Sequence, residues 1–169
     1  MSRLRNIMRS LFGRRAAPTA APVTTRVGTP SVGQSGASAT VEIDPARLRG
    51  VRLSYAPTPD GLPDPGEVVW TWVPYEERDG RGKDRPVVIV AAEGGGTFLA
   101  VQLTSKPHES RDYLPLGAGA WDAEGRPSWA ILDRVFRVRA GGVRREAASL
   151  DRDRYARLVD ALRARHGWR

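Results

Sequence analysis

The sequence predicts a mainly β domain of α+β class, a small and mostly antiparallel barrel followed by one C-terminal helix. Three observations predict it. Residues 66–106 hold apolar strand-like runs around polar clusters, the last two runs joined by Glu93-Gly-Gly-Gly96. A further run follows at Ser128 to Val138 (SWAILDRVFRV), and the last 19 residues show the clearest helical period. Strands succeed one another with turn residues between them, which favours antiparallel pairing over a βαβ arrangement.

Taken in order, Glu67 to Val73 reads as a strand, with Val68, Trp70 and Trp72 on one face by a period of two. The charged stretch YEERDGRGKD reads as a loop. Pro86 to Ala92 (PVVIVAA) is a near-continuous β-branched run, the mark of a strand buried on both faces. The Gly triplet joins this strand to Thr97–Leu103 as a hairpin; because it opens no helix, it is not a phosphate loop. Residues 107–127 form a Pro/Gly-rich excursion containing Trp121. In the C-terminal helix Asp151 is the N-cap, Tyr155, Leu158, Val159 and Leu162 make the apolar face, and Gly167 ends it. Trp70, Trp72 and Trp129 are expected in the core.

Ahead of this domain, residues 1–15 (MSRLRNIMRSLFGRR) set Leu4, Ile7, Met8, Leu11 and Phe12 on one helical stripe among five arginines. So short a helix is marginal alone in water. It is read as a basic amphipathic helix or an unstructured tail, able to meet an anionic membrane surface, an acidic protein groove or nucleic acid. Residues 16–61 are expected to form a Pro-rich, disordered linker, with VRLSY (51–55) as a candidate short strand, and the folded unit is expected to begin near Leu62. The domains are thus 1–15, 16–61 and 62–169.

Composition excludes several classes of function. The chain has no cysteine, so disulfides, thiolate metal sites and cysteine nucleophiles are out. With only His108 and His166, no dedicated histidine metal cage is expected, and no metal or cofactor is called for. No apolar run approaches the ~18–20 residues of a membrane span. A cytoplasmic location is expected, with membrane-peripheral contact through residues 1–15 as the alternative. The net charge of +8 is uneven. Residues 1–60 carry nine Arg against three acids, and residues 61–169 carry eighteen Lys/Arg against sixteen acids. Bulk charge on the domain therefore says nothing about nucleic acid, and any site must rest on local groups. The two lysines, Lys83 and Lys106, both fall inside the motif-bearing stretch.

Four pieces occur in a telling order: PGEVVW (65–70), GKDRPVVIV (82–90), LTSK (103–106) and SWAILDRV (128–135) before a terminal helix. Together they resemble the MazF/PemK family of bacterial toxins, the metal-independent mRNA interferases of type II toxin–antitoxin systems. The resemblance covers most of residues 62–169 and none of the arm. It implies an SH3-like barrel of the CcdB/MazF/PemK type, a homodimer, single-stranded RNA as substrate and a cognate antitoxin as partner. Arg85, ahead of Pro86, matches the family's catalytic arginine, and Thr104 its catalytic threonine, with Ser105 beside it. Gly66 and Glu67 match the Gly-acid pair opening the first strand, and Ser128 a serine opening a later one. The sequence departs from the family where a Gly-Glu-Gln cluster often precedes Arg-Pro. Here the loop is EERDGRGKD, and Glu76, Glu77 and Asp79 all stand open for the acidic role.

The chemistry can be read beside the resemblance. Metal-free RNA cleavage uses the 2′-OH as internal nucleophile, so the protein must supply donors to the phosphorane oxygens, a proton acceptor and a proton donor. Arg85 offers a planar fork suited to phosphate; Thr104 and Ser105 offer hydroxyls; Lys83 and Lys106 add positive charge. Arginine is a poor base, which leaves the base open, with His108 the candidate by its titration range. Trp121, in a polar loop, is the candidate for stacking on a nucleotide. The competing reading is a catalytically inactive module of the same fold, tethered by the basic N-terminal helix to a membrane or protein. Topoisomerase inhibition, as in the CcdB relatives, is set aside because Arg85 and Thr104 match the nuclease branch.

Overall fold

The computed structural model describes residues 29–55, 61–106 and 109–169. Seven strands and one helix follow in chain order: β1 (Val41–Ile43), β2 (Glu67–Pro74), β3 (Gly82–Gly94), β4 (Thr97–Thr104), β5 (Tyr113–Gly117), β6 (Ser128–Arg139), β7 (Arg144–Ser149) and α1 (Arg152–His166). All pairings are antiparallel, in the order β1-β6-β4-β3-β2-β7, with β5 also on β6. Among the described residues the sheet does not close, because β1 and β7 end the row and do not pair with each other.

Both faces of the central strands are covered. Val68, Val88, Val90, Val101 and Leu103 pack with the helix residues Tyr155, Leu158, Val159 and Leu162 in one cluster. Val69, Val87, Ile89, Phe98 and Phe136 form a second cluster on the opposite face. Val87 to Val90 are all fully buried, as the unbroken β-branched run predicts. Each such side chain contributes about 1.5–3 kcal/mol on leaving water. The helix is capped as expected: the Asp151 carboxylate accepts the Arg154 N–H at 2.8 Å. Gly167, at φ +70°, returns its N–H to Arg163 O at 2.8 Å.

Three expectations need correction. Residues 29–55 are not a linker but part of the fold. β1 pairs with β6, and Trp72 N–H donates to Val32 O at 2.9 Å. Val51 and Leu53 are buried in the first cluster, joined to Arg169 by backbone bonds of 3.3 and 2.9 Å. VRLSY forms no strand; it lies against the chain end instead of entering the sheet. Thr71 Oγ lies 2.6 Å from Thr40 Oγ and 2.7 Å from Gly142 O, locking segment, sheet and the 140–142 turn together. The approach is so close that a Cβ at Gly33 would meet Thr71 Oγ1 at 2.2 Å. The basic segment 1–15 and residues 16–28 lie outside the described residues.

The second correction concerns the charged loop. β3 begins at Gly82, four residues before the expected start, so Lys83, Asp84 and Arg85 are strand residues paired to Val73, Trp72 and Thr71. The third concerns the tryptophans of β2 and β6. Trp70, Trp72 and Trp129 are half-buried, while Val69, Thr71 and Val73 occupy the deeper face of β2. β6 also jumps register, pairing Val135 with Val101 but Ala130 with Leu103. The displaced stretch lets its first half hold β5 through Tyr113↔Ile131 and its second half hold β1.

Candidate functional site

β3 and β4 set the site. Val87 stands opposite Gln102 at the end of the β3–β4 ladder, and Arg85 and Thr104, each two residues beyond that pair, both line the cleft. Arg85, Gln102 and Thr104 therefore share one face of the sheet. Past Thr104 the chain leaves the sheet, and a cleft of about 330 Å³ opens between the start of β3 and the 120–126 loop. Lys83, Asp84, Arg85, Thr104, Ser105 and Ser128 all line it.

Thr104 Oγ1 accepts the Lys106 N–H at 3.2 Å, which leaves its own hydroxyl hydrogen free to donate outward. Ser105 and the Lys106 side chain are exposed, and of the two only Ser105 lines the cleft. Four carboxylates also border the cleft, and each is tied to an arginine. Asp84 Oδ2 holds Arg144 at 2.9 Å, and Arg144 holds Glu146 at 2.9 Å. The bond to Asp84, then that to Glu146, push the Arg144 guanidinium further up. Arg126 bridges Asp122 at 3.0 Å and Glu124 at 3.1 Å. Burial pushes the Asp122 carboxyl up, but bonds from the Glu124 N–H and from Arg126 outweigh it and hold the group below its usual value.

Arg85 and Lys83 make no ion pair or side-chain hydrogen bond among the described residues. Among the described residues the site thus holds two uncommitted cations beside a free hydroxyl, with each of its acids tied to an arginine through at least one oxygen. Two further polar atoms of the cleft residues are buried and unpartnered, Asp84 Oδ1 and Trp70 Nε1. Sequence reasoning passed over Asp84; nothing in the residue type or spacing distinguishes it from an ordinary strand-end acid.

Two expected site residues take structural roles instead. Trp121 is no stacking platform: it is buried at 3% exposure, and its indole N–H donates to Ser128 Oγ at 3.1 Å. Arg154 covers its ring, 5.8 Å from the centroid, and donates to Ala118 O at 2.8 Å. The ring packs into the first apolar cluster although its own loop is polar, and it forms part of the cleft wall. Glu67 also stands apart from the cleft, bidentate with Arg145 at 2.6 and 2.9 Å. His108 lies outside the described residues. Among the described residues no group of three or more His, Cys, Asp or Glu could hold a metal ion, and no helix is long and apolar enough to cross a membrane.

Several solved structures resemble this fold. MazF crystallised with MazE from Deinococcus radiodurans is 18% identical with a TM-score of 0.49, over 63% of this chain and 96% of that one. MazF alone from the same organism is 19% identical with a TM-score of 0.48, over 63% and 97%. The Mycobacterium tuberculosis toxin MazF-mt6 is 15% identical with a TM-score of 0.44, over 60% and 98%. No curated protein matches the sequence. The family model described as PemK-like, MazF-like toxin of type II toxin–antitoxin system matches residues 64–165. That span takes in β2 to β7 and nearly all of α1, with Arg85 and Thr104 inside it, and the chain belongs to the PemK-like, MazF-like toxins of type II toxin–antitoxin systems.

Proposed function

We propose that the chain is a metal-independent endoribonuclease that cuts single-stranded RNA in the cleft between β3 and the 120–126 loop. The observation behind this reading is the pair of uncommitted cations, Arg85 and Lys83, beside the free hydroxyl of Thr104, with every neighbouring carboxylate tied to an arginine. A phosphodiester is the ligand such a set fits, since fork and hydroxyl both donate to phosphate oxygens.

In the reaction the 2′-OH attacks the adjacent phosphorus, the bond to the 5′ oxygen breaks and that oxygen takes a proton from solvent water, leaving a 2′,3′-cyclic phosphate and a 5′-OH. Arg85 and Thr104 donate to the non-bridging oxygens as charge gathers there. Asp84 Oδ1, the unpartnered acceptor of the cleft, takes the 2′-OH proton while Arg144 fixes the other oxygen. Lys83 draws in the RNA backbone, and Ser105 and Lys106 flank its path. Membership of the family supports a homodimer as working unit and a cognate antitoxin as protein partner.

The test is incubation of the purified full chain with mixed RNA in EDTA, followed by mapping of the ends. Discrete cuts bearing 2′,3′-cyclic phosphates, lost in Arg85→Ala, are expected. An intact RNA pool after treatment with well-folded protein would overturn the reading.

A further inference from the structure

Arg85 borders two clefts. Besides the cleft described above, it lines a second one of about 520 Å³ on the side of the β2–β3 loop, with Tyr75, Arg81, Gln102 and Arg134. The other cations there are engaged: Arg134 holds Glu42 through two bonds of 3.1 Å and donates to Pro74 O, while Arg81 holds Asp79 at 2.6 Å. Arg85 is the only uncommitted one among the described residues of this cleft.

Gln102 is the unexplained group. It is 7% exposed, its Oε1 has no partner, and its side chain makes no hydrogen bond to any described residue. A buried amide left unpaired is costly and rare, and calls for an explanation. Apolar neighbours fill the corresponding positions of the same strand, Ala100 and Phe98, so packing does not require an amide here. Gln102 sits two residues from Thr104 on the same strand face, about 6–7 Å away along the strand, which is close to one nucleotide step.

We propose that this second cleft is a base-reading subsite for the nucleotide flanking the scissile phosphate, and that Gln102 is its specificity-determining residue. The inference rests on the nuclease reading above. With the phosphate on Arg85 and Thr104, the neighbouring base enters beside Tyr75, whose ring carries Arg81 at 5.9 Å, and meets the Gln102 amide. Adenine fits that amide best. It sets its amino group beside a ring-nitrogen acceptor on both its Watson–Crick and Hoogsteen edges, so it answers Oε1 and Nε2 in either direction.

The experiment compares the full chain with Gln102→Met and Gln102→Glu, both close in size to glutamine, using cleavage of a randomised RNA pool. Anisotropy with labelled 2′-O-methyl oligoadenylate, oligocytidylate and oligouridylate, which cannot be cleaved, follows binding separately. The wild type is expected to favour adenine at one position next to the cut by about tenfold or more. Gln102→Met loses that preference at that position alone, with other positions unmoved. Gln102→Glu, now accepting at both oxygens, shifts it towards guanine, whose Watson–Crick edge carries two donors. Unchanged preferences in folded variants, or no adenine next to the wild-type cut, overturn the Gln102 assignment while leaving the nuclease reading standing. A wild type that neither cuts nor binds RNA overturns both.

Discussion

The Trp121 indole N–H donates to the Ser128 hydroxyl at 3.1 Å, joining the loop that walls the cleft to the first residue of β6. Ser128 is itself 3% exposed, so neither group has water to fall back on. Ser128→Ala leaves a buried indole N–H unpaired and is expected to cost about 1–3 kcal/mol of stability, measured by urea unfolding. Because the loop lines the cleft, RNA binding should weaken in step. Unchanged stability would mean that the bond holds nothing in place.

Asp84 is placed to accept a proton, and Asp84→Asn keeps its shape while removing that capacity. RNA binding is expected to persist and cleavage to fall about 10²–10⁴-fold. The split between kcat and KM gives the decisive reading: kcat should fall while KM stays near the wild-type value. A variant that loses RNA binding along with cleavage would reduce Asp84 to a support for Arg144.

The Thr40–Thr71–Gly142 chain fastens the N-terminal segment to the sheet. Thr71→Val is nearly isosteric, yet it strands the Gly142 carbonyl and the buried Thr40 hydroxyl. The expected loss is about 1–3 kcal/mol in chemical denaturation, and a double-mutant cycle with Thr40→Val should show coupling. Additive effects would mean that residues 29–43 contribute little to the stability of the domain.

Tyr155 donates to Val90 O at 2.8 Å and lies 3.3 Å from Ser54 O. Burial pushes its phenol well above the ordinary value of 10.0, with Arg163 pulling weakly the other way. A raised folded value means that the stabilisation is fully present below pH 10 and is lost as pH climbs above it. The wild type is therefore expected to lose stability above pH 10 more steeply than Tyr155→Phe. The variant should be weaker by about 1 kcal/mol at neutral pH. Parallel pH curves for the two proteins would refute the assignment.

The strands and the helix that were legible in the sequence are those whose own residues state their burial. Val87 to Val90 must be covered on both faces, and Tyr155, Leu158, Val159 and Leu162 repeat at the helical period between an Asp cap and a Gly stop. β1, β5 and β7 were not legible, because VEI, YLPLG and RREAAS show no sustained alternation. They are strands because an edge of β6 or β2 offers them backbone partners. Trp121 was misread for a related reason: its neighbours in sequence are polar, but its neighbours in space are the barrel core.

The hairpin, the capped helix and the motif order that sets Arg85 and Thr104 within one family frame follow from residue type at short spacing, and so are written in the chain. That residues 29–55 join the domain, that Glu67 belongs to Arg145, and that Asp84 and Gln102 keep unpartnered atoms emerges once the chain is folded. Pairing is a property of what stands opposite a group, and what stands opposite is settled by register and by the folding back of distant segments, not by a residue's neighbours along the chain.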